Sequence, residues 1–143
     1  MNIFLSIIIP CFNCGKLMSR CIESLQRQTC QDFEVIFVDD YSTDDTCLFL
    51  QNFIDSNSIL ASLINAPYNG GPGKARELGV KEAKGKYVAF LDSDDWYRDD
   101  FVEAIKSVWN QICLTCYFLI ITVAMKVGRL FIFLLFHFIV TGL

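Results

Sequence analysis

The residues with the clearest capacity for chemistry are Asp92-Ser93-Asp94-Asp95, which close the apolar run Tyr87-Val88-Ala89-Phe90-Leu91. Carboxylates crowded at the C-terminal end of a strand repel one another unless a cation sits between them. That end of an open α/β sheet is also where ligands bind. An Asp-x-Asp spacing lets alternate carboxylates approach one ion from the same side, and hard oxygen ligands suit a divalent metal. Such an ion would bridge two phosphates of a nucleotide and neutralise charge on a departing diphosphate. The plainer alternative is a loop of solvated acids. The apolar lead-in and the following Trp96-Tyr97 favour the metal reading.

Three further groups could serve the same site. A second acidic pair, Asp39-Asp40, ends the run Glu34–Val38. One of its carboxylates could accept hydrogen bonds from a base imide or a ribose hydroxyl, or the pair could simply be solvated beside a helix cap. After the first apolar run come Pro10, Cys11, Phe12 and Asn13. Pro10 stops the ladder, and Phe12 near a strand end could stack on a base, although by spacing alone it fits the core slightly better. Asn69-Gly70-Gly71 precedes Lys74 and Arg76. Glycine lets backbone approach a ligand closely and the basic groups could meet phosphate, but in isolation the segment reads as a turn before a solvated helix face. A phospho-acceptor receiver domain also carries strand-end acids. It would place the pair after its first strand and a lone aspartate after its third, not after the second and fourth as here.

The elements that must position these groups follow from periodicity. Residues 3–9 are a continuous β-branched run, as in a strand buried on both faces. Residues 16–29 place Leu17, Met18, Cys21, Ile22 and Leu25 at helical spacing, with Lys16, Arg20, Glu23 and Arg27 mostly opposite. Val35–Val38 predicts a second strand. Ser42-Thr43-Asp44-Asp45 offers a cap for a helix with Leu48, Phe49, Phe53 and Ile54 on its apolar side. Residues 59–64 predict a third strand, 69–73 a flexible loop and 74–84 a helix with a small side at Ala75, Leu78, Gly79 and Ala83. Gly85 ends that helix, residues 86–91 form the fourth strand, and Phe101, Val102, Ile105, Val108 and Trp109 mark a final helix. Strict strand–helix alternation predicts an α/β fold: a mostly parallel open sheet with helices on both faces and right-handed crossovers.

Composition bounds the rest. The chain has 143 residues and a net charge of −4, which argues against a nucleic-acid partner. Residues 1–111 hold all 16 acids and 10 of the 12 basic residues, a net of −6, while 112–143 hold only Lys126 and Arg129. The seven cysteines are scattered through apolar runs, and the apolar start Met1–Ile9 has no basic flank and runs into a strand-like pattern rather than reading as a secretory leader, so the expectation is reduced thiols in a cytoplasmic protein. Cys11 with Cys14, and Cys113 with Cys116, are spaced like half zinc sites, but the gap between the pairs is far longer than a zinc ribbon needs.

Taken together, residues 5–103 resemble the N-terminal half of the family 2 glycosyltransferases, which bind nucleotide-diphospho-sugars on a Rossmann-like GT-A fold. The resemblance rests on Leu5–Asn13, on Ser24-Leu25 and Gln28-Thr29, on Asp32–Thr46, on Asn69–Arg76 and on Ala83–Asp95, in that order. It implies a donor site of Pro10, Phe12, Asn13, Asp39, Asp40, Arg76, Asp92 and Ser93. Phe12 would stack on the base and Asp40, with Asp39 beside it, would read base and ribose. Asp92 and Asp94 would hold Mn2+ or Mg2+ on the diphosphate, with Asp95 shaping the loop. Glu77 stands where the family pattern has Asn, and Tyr41 where it has Gly. The implied donor is a UDP-sugar or another nucleotide-diphospho-sugar, and the implied setting is glycan or polysaccharide biosynthesis on a glycan or lipid acceptor.

An inverting transferase of this kind needs a general base on its acceptor half, and no acid follows Glu103. The chain therefore reads as a donor-binding half-domain over 1–111 and an apolar, helical tail over 112–143. Ile112–Met125 and Leu130–Val140 are apolar runs of 14 and 11 residues, each short of the ~20 a spanning helix needs. Joined, they place two cations mid-span at roughly 2.5–3.5 kcal/mol each. A tilted span, a re-entrant hairpin or an interfacial helix would attach the protein to the cytoplasmic face of a membrane. A truncated or frame-shifted reading explains the loss of acids equally well. Three activities follow from these alternatives: a metal-dependent hexosyltransferase, a donor-binding module without transfer, or an inactive fragment.

Overall fold

The computed structural model describes residues 3–112, 121–126 and 129–134. Four parallel strands, β1 (Leu5–Cys11), β2 (Phe33–Asp39), β3 (Ala61–Asn65) and β4 (Tyr87–Phe90), form one sheet in the order β3-β2-β1-β4. Register runs from Leu5 opposite Phe33 to Cys11 opposite Asp39 on one side of β1, and from Leu5 opposite Tyr87 to Ile8 opposite Phe90 on the other. The central strands are mostly apolar because both faces are covered. Ile7, Ile9, Val35 and Phe37 enter the larger core, while Ile8, Ile36 and Val38 enter a smaller one with Ala75. The alternation is the period of two expected of a strand.

The helices match the sequence reading in kind and differ at their edges. The predicted helix over 16–29 divides into a 3-10 turn, Gly15–Met18, and α1 (Ser19–Gln26). Leu17, placed on the apolar side by spacing, is 70 % exposed, because the tighter turn rotates it off the helical stripe. After α2 (Thr46–Ser56), α3 runs Gly71–Glu82. It starts three residues earlier than predicted, so Gly71, Pro72 and Gly73 are its first turn and not a flexible loop. Proline is well placed there, since its missing N–H would have no intrahelical partner. After β4 comes α4 (Phe101–Ile112), whose Phe101 and Val102 are buried.

Entry into β4 is fixed by a buried polar knot. The Ser6 hydroxyl donates to Glu34 Oε1 at 2.6 Å, the Lys84 N–H donates to the same oxygen at 2.6 Å, and the Gly85 N–H donates to Ser6 Oγ at 2.8 Å. The knot holds the backbone of residue 85 against β1, so a Cβ there would lie 2.6 Å from the Ser6 nitrogen and 2.7 Å from the Leu5 carbonyl carbon.

In the tail, β5 (Ile121–Lys126) pairs antiparallel with β6 (Arg129–Leu134). Those twelve residues are strand and not the helix expected for them. The remainder of the tail expectation, including Cys113, Cys116 and His137, lies outside the described residues. Among the described residues no helix is long and apolar enough to cross a membrane.

Because the Gly85 contact is with backbone, relief requires β1 to move. Gly85→Ala should destabilise the chain by about 1–3 kcal/mol, read as a lower urea midpoint at unchanged slope. An unaltered midpoint would show that the α3–β4 turn is not held this tightly.

Candidate functional site

The sheet order places a reversal at β1. The chain moves outward from β1 through β2 to β3, then crosses back to β4 on the other side of β1. A crevice opens outside the strand ends at such a reversal, and ligands of open α/β sheets bind there. Here it is a cleft of about 530 Å³ lined by Pro10, Cys11 and Phe12 after β1, Asp40 after β2, Asn69, Gly71, Pro72 and Arg76 at the start of α3, and Asp92, Ser93 and Asp94 after β4. The acids that spacing placed at two strand ends thus share one opening. A larger groove of about 660 Å³ lies at the opposite end of the strands, lined by Gln31, Asp32 and Asn57 among others, and holds none of the predicted residues.

The two acids after β2 do different work. Asp40 is 3 % exposed, and its two carboxylate oxygens accept the Gly70 N–H at 2.9 Å and the Gly71 N–H at 2.7 Å. These donors are the first free amides of α3, where an anion is favoured by the helix dipole and by unsatisfied N–H groups. Gly71 adopts φ +80°, a conformation glycine tolerates. Asp39 turns the other way: its Oδ2 accepts the Ser42 N–H at 3.0 Å, its buried Oδ1 meets no hydrogen bond of ordinary geometry among the described residues, and the nearby Cys47 thiol, which faces this carboxylate, is raised to about 11 by burial and then by the carboxylate.

Arg76 lies on the cleft side of α3. Its Nη2 donates to Asp92 Oδ1 at 2.5 Å, and its guanidinium stands 5.9 Å from the Phe90 ring centre. Asp92 is half-buried, Asp94 is exposed and Asp95 is buried. The Asp95 N–H donates to the Asp92 carbonyl at 3.0 Å, closing the loop into a turn. Tyr97 anchors that loop from below. It is 1 % exposed, stacks on Phe101 with ring centres 3.6 Å apart, and its hydroxyl donates to the Phe90 carbonyl at 2.9 Å. Burial pushes its pKa upward, so it stays a neutral donor.

Phe12 is 49 % exposed at the cleft mouth; the structure overturns the core alternative and leaves its face open. Its loop is braced from α2. The Asn13 N–H donates to Ser42 Oγ at 2.9 Å, and Asn13 Oδ1 accepts the Thr43 N–H at 2.8 Å. Thr46 Oγ1, buried, accepts both the Cys14 and the Gly15 N–H, at 2.9 and 3.0 Å. Of the run Ser42-Thr43-Asp44-Asp45, expected to cap α2, Ser42 and Thr43 hold the neighbouring loop, and Thr46, the first residue of α2, holds it too. Asn13 is therefore a strut; its φ of +48° is one that asparagine adopts readily.

Two residues were not singled out for this site. Cys11 lines the cleft and Cys14 packs behind it. The Cys11 thiol donates to Cys14, and with a bond from Ser93 and one from the Phe12 backbone it lowers the Cys14 thiol to about 7 against opposing burial. The Cys-x-x-Cys spacing is the available signal, and both residues are free, buried thiols, as expected of reduced cysteines. Among the described residues no three His, Cys, Asp or Glu are arranged to hold a metal.

Comparison with known proteins agrees with this geometry. The family model described as glycosyl transferase family 2 matches residues 6–129. The chain belongs to that family. It is 31 % identical over 105 residues to the glycosyltransferase GlyG of Streptococcus pneumoniae, covering 73 % of this chain and 35 % of the relative. It is 38 % identical over 91 residues to the GalNAc(5)-diNAcBac-PP-undecaprenol beta-1,3-glucosyltransferase of Campylobacter jejuni, covering 64 % of this chain and 29 % of the relative. Among solved structures, residues 1–349 of S. aureus TarS in complex with UDP-GlcNAc superpose with a TM-score of 0.71 at 31 % identity, covering 76 % of this chain and 32 % of that 1–349 fragment. The chain thus spans about a third of the length of these two relatives and about a fifth of TarS.

Asp40→Ala would leave two amides at the head of α3 without their acceptor, at a cost of about 1–3 kcal/mol. Hydrogen exchange should quicken at Gly70 and Gly71 and leave the amides of β1 and β2 protected. Unchanged exchange at Gly70 and Gly71 would refute the clamp.

Proposed function

We propose that this cleft binds a UDP-sugar with a divalent cation, as the donor site of a glycosyltransferase acting in glycan or polysaccharide biosynthesis on a glycan or lipid-linked acceptor. The observation that carries the reading is the convergence of an exposed aromatic face, a basic side chain and an Asp-x-Asp turn on one crevice at the sheet reversal, in a chain of this family. The UDP-GlcNAc complex of TarS and the lipid-linked acceptor in the name of the Campylobacter enzyme support it.

Each residue has a role that follows from its surroundings. Phe12 offers its open face to the base, in a loop already ordered by Ser42, Thr43 and Thr46. Asp39, whose carboxylate faces the Cys47 thiol and adds to the burial that raises its pKa, makes no other bond through its buried Oδ1 among the described residues, and a base imide N–H is a stronger donor of the right kind. Asp40 acts through α3, holding the helix start and hence Arg76. Arg76 binds Asp92 in the free chain and is within reach of the diphosphate once Asp92 takes another partner. Pro10 and Ser93 form the walls.

The donor set at Asp92 and Asp94 fits a hard cation. Two carboxylates on one turn are few for a protein cage, but Mg2+ and its like are commonly held by one or two carboxylates together with substrate phosphates. When bound, such an ion neutralises charge on the leaving diphosphate. Asp95, buried and engaged in the turn, shapes the loop.

Calorimetry with UDP and Mn2+ should show binding by the full chain. Asp94→Asn should remove the dependence of that binding on the cation, and Phe12→Ala should weaken UDP by about 1–3 kcal/mol. A folded chain that gives no heat with UDP, or an Asp94→Asn chain whose binding still requires Mn2+, defeats the assignment. Release of UDP from UDP-GlcNAc on addition of an acceptor tests transfer itself.

A further inference from the structure

Among the described residues three adopt a positive φ: Asn13 at +48°, Tyr41 at +67° and Gly71 at +80°. Gly71 lines the donor cleft, Asn13 follows Phe12 and Tyr41 follows Asp40, so all three stand at its rim. Strained backbone tends to gather where a site depends on it. Asparagine and glycine tolerate this conformation. Tyrosine does not, because its Cβ crowds the following carbonyl oxygen. Tyr41 is thus the strained member of the set, at the position where the family pattern has Gly.

The neighbours of Tyr41 impose the conformation. The Asp40 N–H donates to the Cys11 carbonyl at 2.8 Å, the Ser42 N–H turns back to Asp39 Oδ2 at 3.0 Å, and Ser42 Oγ accepts the Asn13 N–H at 2.9 Å. With both flanks held, residue 41 must reverse the chain. Packing does not offset the strain, since Tyr41 is 55 % exposed. Among the described residues its ring meets no other aromatic and no cation, and its hydroxyl makes no hydrogen bond. The same bonds tie residues 11 and 13 to residues 40 and 42. Tyr41 and Phe12 therefore stand opposite each other on adjacent strand ends, which lie about 4.8 Å apart, and both rings are open to solvent.

We propose that Tyr41 is a specificity-determining residue of the donor site, which lays its ring against the nucleobase that Phe12 stacks on and encloses that base from a second side. This rests on the donor reading above. The base is the part of the nucleotide within its reach. Asp92 and Asp94, on the diphosphate side, follow β4, and β4 lies two strands from β2 in the sheet. Stacking on a second ring is open to any base, because every base has a π-face. A strained and exposed tyrosine weakens the free chain and is offset only when the base arrives, as happens where binding and stability pull apart.

The test is to titrate UDP and inorganic pyrophosphate, each with Mn2+, into the full-length chain, Tyr41→Gly and Tyr41→Phe, and to unfold each in urea. Tyr41→Gly should bind UDP about tenfold more weakly, bind pyrophosphate as the parent chain does, and unfold at a midpoint no lower than the parent's. Tyr41→Phe keeps the ring and should keep the UDP affinity. A Tyr41→Gly chain that binds UDP as tightly as the parent overturns the inference and leaves the donor reading intact. Equal losses for UDP and pyrophosphate, or a lower midpoint, assign Tyr41 to the fold and overturn the base contact. A loss in Tyr41→Phe as large as in Tyr41→Gly assigns the effect to the hydroxyl and overturns the stacking. A parent chain that binds no UDP defeats the donor reading, and this inference with it.

Discussion

One buried contact sets the rest of the site: the Asp40 carboxylate on the amides of Gly70 and Gly71. A carboxylate at 3 % exposure is costly unless its oxygens are met. Two charge-assisted bonds from a helix start meet them in the manner of an anion site built from the chain itself. The contact fixes where α3 begins relative to the end of β2. Arg76 lies five residues on from Gly71, a rise of about 7.5 Å along the helix, and its guanidinium reaches Asp92 across the cleft. An acid on one strand end thus positions a cation that meets an acid on another.

The same arrangement explains why so many acids can share one rim. Asp39, Asp40, Asp92, Asp94 and Asp95 follow two strands only one β-strand apart in the sheet. Their mutual repulsion is reduced by differing burial and by distinct positive partners: the head of α3 for Asp40, the Ser42 amide for Asp39 and Arg76 for Asp92. Asp94 remains the most solvent-facing of the five. The acidic rim is therefore not a repulsive accident kept apart by water. It is a graded set, in which the carboxylates nearest the opening are those a cation could join.

Much of this was legible in the chain, and the reasons for success and failure are physical. Parallel strands buried on both faces are uninterrupted apolar runs, so β1, β2 and β4 stood out, and the acids closing them had to lie at one rim. The start of α3 was misplaced because Gly-Gly-Pro-Gly has loop composition; only the Asp40 contact, thirty residues away, makes it a helix start. Leu17 fits a helical period but sits in a 3-10 turn. The division between Asp39 and Asp40 could not be read from adjacency. Successive strand residues point to opposite sides, and which side holds α3 is decided by tertiary packing. Likewise Ser42 and Thr43 look like a cap and turn out, with Thr46, to be braces, since their partners in residues 13–15 come from another strand end.

Those braces join two halves of the cleft that chemistry would otherwise treat separately. The loop after β1 carries Phe12, on the base side of the proposed donor. The loop after β4 carries Asp92 and Asp94, on the diphosphate side. Between them, the Ser93 hydroxyl donates to Cys14, which the Thr46 hydroxyl oxygen holds through its amide. A displacement at residue 14 is therefore felt by the aromatic face two residues before it and by the acidic turn beside it. Packed elements of this kind shift as units. A ligand that orders one loop should therefore order the other.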